Sequence, residues 1–156
     1  FRAVGAANAA LPNSGAVLLT FAERDRGGED PATPGGQIVQ AARTFVAAGM
    51  TIRATGGTAQ FLARHGIESR TILKIHEGRP NIQDAIINGD IQLVVNTPSG
   101  TSSEHDDSYI RKAAIRARVP YVTTTTAALA AAHGIKAAKN DTAEIKSLQE
   151  YHALLK

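Results

Sequence analysis

A short turn of glycines and hydroxyl-bearing residues in this sequence could bind a phosphate group. It consists of Thr55, Gly56, Gly57 and Thr58, and it directly follows a short apolar segment. Glycines let backbone N–H groups approach an anion closely, and the threonines add hydroxyl donors. A helix starting near Ala59 would point its positive end at the same spot, worth about 0.5–1 kcal/mol when exposed. The turn therefore predicts an anion site, although such short motifs also serve as plain strand-to-helix connections.

Two later segments carry polar side chains that could complete the site. Lys74 lies at the end of a short apolar segment and would supply a full positive charge. Asn96, Thr97 and Ser99 follow the apolar run at 91–95, and their side chains could contact a sugar or a base. Each feature alone also has an ordinary explanation, which is a solvated lysine in one case and a polar turn in the other. A single site requires a fold that brings them together.

Apolar runs and helical patterns alternate along the chain, and this alternation predicts the fold class. Strands are predicted at residues 16–21, 51–54, 71–75, 91–95 and 121–124. Helices are predicted at residues 37–48, 59–65, 80–88, 107–118, 127–133 and 143–155. Residues 23–36 contain four glycines and two prolines and are predicted to form a loop. The pattern indicates an α/β fold of three layers, with helices flanking an open, Rossmann-like parallel sheet of five strands.

A parallel sheet would place the three polar segments on the same side of the molecule. Right-handed crossovers put the end of every strand on one edge of the sheet, which we call the carboxyl edge. Open α/β sheets bind ligands at this edge, near the point where the strand order reverses. We therefore expect the turn at 55–58, Lys74 and the residues after strand four to converge on one ligand.

Composition limits the other functions that this chain could have. Its 156 residues suffice for one domain, with residues 1–14 predicted as a connector and 15–156 as the domain. The chain begins with Phe1 and its only methionine is Met50, so we expect a piece of a longer protein. It has no cysteine, a net charge of +3 and only 4% aromatic residues, and it shows no long apolar run. These features argue against nucleic-acid and membrane binding and favour a cytoplasmic protein.

Neither a metal site nor a catalytic residue is predicted. His76 and Glu77 begin a pattern typical of zinc proteases, but the second histidine is missing. The acidic residues between 104 and 107 are better explained as the start of a helix, where acids are favourable. The five histidines share no metal-ligand spacing, and no serine, histidine and acid triad can be assigned.

Three longer motifs indicate a specific family. They are TIRATGGTAQFL, KIHEGRPNIQDAIINGDIQLVVNTPSG and SYIRKAAIRARVPYVTT, which begin at residues 51, 74 and 108. Together they resemble the carboxyl-terminal allosteric domain of the large subunit of carbamoyl phosphate synthetase, a member of the methylglyoxal-synthase-like fold family. The resemblance runs from about residue 11 to the end of the chain.

This resemblance implies a regulatory role without chemistry of its own. The parent enzyme is a ligase that makes carbamoyl phosphate from bicarbonate, glutamine-derived ammonia and ATP with Mg²⁺, for pyrimidine and arginine biosynthesis. The domain itself would hold no cofactor. It would bind UMP or IMP as effectors, and ornithine where it meets a catalytic domain of the same chain. The small glutaminase subunit is an implied partner, and self-association is left open.

The same resemblance assigns roles to individual residues. The phosphate-binding threonines and glycine of the family match Thr55, Gly57 and Thr58. The phosphate-binding lysine matches Lys74, and the asparagine that contacts base or ribose matches Asn96.

Further positions concern ornithine and the departures from the family pattern. The tyrosine and threonine on the ornithine side match Tyr121 and Thr123. Three positions depart from the family pattern. Some family members have an additional phosphate-binding lysine that aligns near Gly35 of this chain. A threonine of ligand-binding members is replaced by Pro98, and an arginine pair of some members is replaced by Thr101 and Ser102. Weaker regulation or a different effector is therefore compatible with the sequence.

Two alternative functions stay open at this point. One is a structural or oligomerisation domain without effector binding. The other, methylglyoxal synthase, requires a catalytic aspartate after the fourth strand, where this chain has Asn96.

Overall fold

A computed structural model describes residues 15–21, 30–97, 104–140 and 147–153 of the chain. In these residues, five parallel strands form one sheet in the order β3-β2-β1-β4-β5. The strands are β1 (Ala16–Phe21), β2 (Thr51–Ala54), β3 (Arg70–Thr71), β4 (Leu93–Thr97) and β5 (Tyr121–Val122). The predicted fold class, a three-layer α/β fold around a parallel sheet, is confirmed.

Six α-helices of the described residues connect and cover these strands. They are α1 (Pro34–Ala47), α2 (Gly56–Arg64), α3 (Ile82–Ile87), α4 (Glu104–Arg116), α5 (Thr125–Asn140) and α6 (Leu148–Ala153). Together with the sheet they place the core in two layers, one on each face. Helices α1, α2 and α5 pack on one face through residues such as Phe45 and Leu62, while α3 and α4 cover the other through Ile86 and Ile110.

Helices α1 and α5 extend beyond the residues that the sequence pattern predicts for them. Helix α1 begins at Pro34, inside the predicted loop, because the Thr33 hydroxyl accepts a hydrogen bond from Gly36 N and proline suits a first turn. Helix α5 was predicted to end before Gly134 but continues to Asn140. Its buried Ala132 and Ile135 lie on either side of this glycine in the core against α1, so packing outweighs the cost of about 1 kcal/mol for a glycine in a helix.

The third strand and the helix after it differ most from the prediction. Strand β3, at the edge of the sheet, covers only Arg70–Thr71, and beyond it Leu73 pairs with Asn81 and not with β2. A 3-10 turn, Ile75–Glu77, occupies the end of the predicted strand. Pro80 lies before helix α3 and not in its first turn. Asn81 caps this helix by accepting hydrogen bonds from Gln83 N and Asp84 N.

The strand order reverses next to the central strand β1. Strand β1 pairs with β2 on one side and with β4 on the other, and helices α1 and α4 lie on opposite faces of the sheet. Open α/β sheets bind ligands at the carboxyl ends of the two strands on either side of such a reversal, which are β1 and β4 in this fold. The predicted connector 1–14, the first half of the predicted loop 23–36, Ser99 and the departures at 98–102 lie outside the described residues. Within the described helices, none is long and apolar enough to cross a membrane.

Candidate functional site

The glycines of the Thr-Gly-Gly-Thr turn belong to a helix and do not precede it. Thr55 is the extended N-cap residue, and helix α2 begins at Gly56, three residues before its predicted start. The N–H groups in the first turn of a helix have no partner within the helix. In α2 these groups belong to Gly56, Gly57 and Thr58, and Gly57 is exposed. They form a donor group at the carboxyl edge, at the positive end of the helix dipole.

Neither glycine of this turn is required by the fold. A Cβ added at Gly56 or Gly57 meets no other atom within 4 Å, and neither residue has a positive φ. Gly36 is different, because a Cβ there would lie 1.9 Å from Asp30 O. The absence of side chains at 56 and 57 therefore leaves open space beside the backbone of this turn. An anion could therefore approach these amides closely.

The two threonines of the turn direct their hydroxyls into the protein. Thr58 is only 1% exposed, and its Oγ1 accepts from Phe21 N at 2.9 Å and donates to Phe21 O at 3.2 Å. Thr55 Oγ1 lies 3.3 Å from Thr58 Oγ1, and Thr55 is also buried. These hydroxyls join the start of α2 to the end of β1. The Thr58 hydroxyl is therefore occupied by contacts within the protein.

Lys74 lies just past the end of β3, before the 3-10 turn, and its side chain is exposed. Its backbone N–H donates to Glu77 Oε2 at 2.8 Å. No carboxylate among the described residues forms an ion pair with its ammonium group. The segment after Lys74 is held by His76, whose Nδ1 lies 2.8 Å from Asp106 Oδ2 on α4. Lys74 thus has no ion-pair partner among the described residues, and it lies at the same edge as the turn.

Asn96 lies inside strand β4, although the sequence pattern placed it after the strand. Its side chain is on the α3 and α4 face of the sheet and the residue is 6% exposed. Asn96 Oδ1 accepts from Thr20 Oγ1 at 2.5 Å. Asn96 Nδ2 donates to Tyr121 Oη at 2.7 Å and also to Asp107 Oδ1. The predicted base- or ribose-contacting residue is therefore part of a polar network that joins β1, β4, β5 and α4.

Asp107 is the centre of this network, although its position in the sequence predicts only an acid at the start of a helix. Its Oδ1 accepts from Tyr121 Oη at 2.5 Å, and its Oδ2 accepts from Arg111 Nη2 at 3.1 Å. Burial and the hydrogen bond to Asp107 raise the pKa of Tyr121 above its ordinary value. No pattern in the sequence distinguishes Asp107 from Asp106. The rotation of α4 turns Asp107 towards β5 and Asp106 towards His76.

The remaining predicted residues have separate positions. Thr97 follows Asn96 in the strand, is half-buried and donates to Thr20 O at 3.3 Å. Tyr121, predicted on the ornithine side, joins the Asn96 network. Thr123 is exposed just after β5. The fold thus brings the turn, Asn96 and Tyr121 to one edge.

A groove and a pair of aspartates are two further candidate sites among the described residues. A groove of about 540 Å³ lies at the opposite edge, where the strands begin, and residues such as Arg43, Val46 and Arg70 line it. It contains none of the predicted residues. The side chains of Asp106 and Asp107 diverge, and no group of three or more metal-ligand side chains was found in the part of the chain that is described.

Comparisons with known proteins agree with the motifs. A family model described as "MGS-like domain" matches residues 37–123. The carbamoyl phosphate synthase large chain of Gemmatimonas aurantiaca is 42% identical over 97% of this chain and 13% of its own length. That of Archaeoglobus fulgidus is 40% identical with the same coverage. The C-terminal section of the Aquifex aeolicus large chain is 41% identical over 88% of this chain and 24% of its own length. The chain thus spans only a small part of these relatives.

Proposed function

The chain belongs to the family of MGS-like domains, as its motifs predict, and from this premise we propose that it is the regulatory domain of a carbamoyl phosphate synthase large chain. Its ligand would be a nucleoside monophosphate, UMP or IMP, bound at the carboxyl edge of the sheet. The similarity to three such large chains supports this assignment. We also propose that the longer protein to which this chain belongs has carbamoyl phosphate synthase activity.

One observation carries the effector-binding proposal. The first-turn amides of α2 lie beside open space, at residues whose missing side chains the fold does not require. Lys74 places a positive charge at the same edge, and no carboxylate in the described part of the chain forms an ion pair with it. Backbone donors, a helix N-terminus and a lysine are together the recurring elements of phosphate sites.

The bound effector would regulate a reaction that takes place elsewhere in the parent protein. That reaction joins bicarbonate, glutamine-derived ammonia and ATP into carbamoyl phosphate in the cytoplasm, for pyrimidine and arginine biosynthesis. The preceding catalytic domains and the glutaminase subunit would be its partners, and ornithine would bind between Tyr121, Thr123 and a catalytic domain. An effector acts only through different affinities for two states, and such couplings amount to about 1–3 kcal/mol.

A methylglyoxal synthase is not favoured by this site. The amide of Asn96 cannot remove a proton from a substrate. Asp107 is the nearest carboxylate, and it already accepts hydrogen bonds from Asn96, Tyr121 and Arg111. We therefore expect no methylglyoxal from dihydroxyacetone phosphate, and its formation at an enzymatic rate would contradict this proposal.

The proposal is tested by calorimetric titration of the chain with UMP and then with IMP. Lys74→Ala should weaken binding by about tenfold to a hundredfold, the equivalent of one charge-assisted hydrogen bond. Lys136→Ala is the matched control, because Lys136 is an exposed lysine late in α5, away from the carboxyl edge. Binding that both variants retain equally would remove Lys74 from the site. Absence of binding of either nucleotide to the unchanged chain would favour a structural domain.

A further inference from the structure

Lys74 belongs to a short turn that is held together by its own hydrogen bonds. Glu77 N donates to Lys74 O at 3.1 Å, and Lys74 N donates to Glu77 Oε2 at 2.8 Å. These two bonds make residues 74–77, which we call the Lys74 turn, one local unit. The turn follows Leu73, which pairs with Asn81 just past the edge strand β3. The position of Lys74 therefore depends on what holds the whole turn in place.

Two side chains hold the Lys74 turn against its neighbours. The half-buried Ile75 packs against the core cluster formed by α3, α4 and the sheet. His76 Nδ1 lies 2.8 Å from Asp106 Oδ2 near the start of α4. Within the described residues, no other hydrogen bond or ion pair joins a side chain of this turn to the rest of the protein. The contact between His76 and Asp106 is thus its polar link to α4.

The strength of this link depends on the charge of the His76 ring. A carboxylate only accepts hydrogen bonds, so His76 Nδ1–H donates to Asp106. An imidazole changes its charge between about pH 5 and 8, whereas a carboxylate stays largely ionised over that range. The contact is therefore an ion pair at the acid end and a weaker hydrogen bond of a neutral ring at the alkaline end. The His76 side chain is 64% exposed, so protons reach it freely.

Other charged side chains near His76 belong to its own loop and to the helices that the Lys74 turn packs against. They are Lys74, Glu77 and Arg79 in the loop, Asp84 on α3, and Asp106, Asp107 and Arg111 on α4. Two of the carboxylates pair with the arginines, at 3.7 and 3.1 Å, and Glu77 bonds the backbone of the turn. Among the described side chains, which exclude those at 104 and 105, Asp106 is thus the one carboxylate within ion-pair distance of His76.

We propose that His76 is a positioning residue, which holds the Lys74 turn on α4 through Asp106 when its ring is protonated and so makes phosphate binding at the carboxyl edge proton-dependent. The inference rests on the proposed function, since it specifies how binding at that site responds to pH. His76 does not contact the ligand and acts through the place of Lys74. A turn that is already held on α4 loses less conformational freedom when Lys74 binds a phosphate group, so binding is tighter.

The test measures dissociation constants for UMP, or for IMP if only IMP binds, at about pH 5.5 and about pH 8. The unchanged chain is compared with His76→Gln. The phosphate group of the ligand itself changes charge near pH 6, but this change is the same for both chains and cancels in the ratio of their dissociation constants. At the lower pH, His76→Gln should bind about twofold to fivefold more weakly, the range of an exposed ion pair. At the higher pH the ratio should fall towards one.

A second histidine provides the matched control. His133 is exposed on α5, so His133→Gln removes the same side chain from another part of the protein. Its ratio should be one at both pH values. Neither His76 nor Asp106 belongs to the two core clusters, so the variants should fold, and thermal unfolding of each checks this.

Two further variants show whether His76 acts through Asp106 and Lys74. Asp106→Asn removes a negative charge near an anion site, so a purely electrostatic effect would tighten binding. Loss of the positioning contact instead weakens binding at the lower pH, by a factor similar to that of His76→Gln. In a chain that already carries Lys74→Ala, adding His76→Gln should cause no further loss, because the residue that His76 positions is absent.

The possible results separate this inference from the proposed function. A ratio for His76→Gln that is the same at both pH values, or tighter binding by Asp106→Asn, would overturn the role of His76 while nucleotide binding stands. An undiminished effect of His76→Gln in the Lys74→Ala chain would overturn it as well. If neither nucleotide binds to the unchanged chain, the proposed function fails and this inference fails with it.

Discussion

Replacing Gly57 by alanine should change stability and ligand binding in opposite directions. Gly57 lies in the first turn of α2, has no positive φ, and has no other atom within 4 Å of an added Cβ. The native state therefore accepts alanine without strain, and the unfolded chain loses conformational freedom. We expect the free energy of unfolding to rise by about 0.4–1 kcal/mol. For a chain of this length the melting temperature should rise by about 1–4 °C.

The same methyl group should weaken binding of a phosphate-bearing ligand. We expect it to hinder the close approach of an anion to the backbone N–H groups in the first turn of α2. Loss of one charge-assisted hydrogen bond is equivalent to about 1.5–3 kcal/mol, or a factor of about 10–150 in the dissociation constant. Thermal unfolding and calorimetric titration with UMP measure the two effects on the same sample.

Two other glycines serve as controls for Gly57→Ala. Gly134 also lies in a helix, has no positive φ and has open space around an added Cβ. Gly134→Ala should stabilise the chain by a similar amount and leave binding unchanged. Gly36→Ala should destabilise it, because the Cβ would collide with Asp30 O. If Gly57→Ala binds UMP as tightly as the unchanged chain, the amides of this turn do not hold the phosphate.

Three further substitutions test the contacts that shape this edge. Thr58→Val removes a buried hydroxyl that bonds the backbone of Phe21, so urea unfolding should show a loss of about 1–3 kcal/mol; an unchanged midpoint would contradict this role. Asn81→Ala removes the cap of α3 and should cost about 1–2 kcal/mol, whereas the exposed Asn88→Ala should cost far less. Burial and the bond to Asp107 raise the pKa of Tyr121, so the neutral phenol stabilises the fold fully below about pH 10, and this contribution is lost as the pH rises through the raised value. Tyr121→Phe should therefore lose stability less steeply above pH 10, and parallel curves for the two chains would refute this.

The fold class followed from local sequence patterns because strands and helices alternate with strong turn signals. The boundaries depended on tertiary contacts that no local pattern contains. Residues 71–75 are predicted as a strand, yet β3 pairs with β2 only at Arg70–Thr71, and Leu73 beyond it pairs with the distant Asn81 instead. Conversely, Gly134 signals a helix end, yet the contact of α5 with α1 keeps the helix intact.

The common edge of the predicted residues could be inferred from the sequence, but their contacts could not. The parallel sheet fixes where Thr55 and Asn96 lie, because both follow or end strands at the carboxyl edge. The direction of each side chain depends on neighbours distant in sequence, such as Phe21 for Thr58. Asp107 could not be distinguished from Asp106 without the rotation of α4 against β5.

The central claim is that the carboxyl edge holds a nucleoside monophosphate, and amide NMR spectra during a titration with UMP test it most directly. The account predicts saturable shifts of the Gly56, Gly57 and Thr58 signals. The signals of Val46 and Gly66, in the groove at the opposite edge, should stay unchanged. Shifts confined to Val46 and Gly66, or no saturable shift at all, would contradict it.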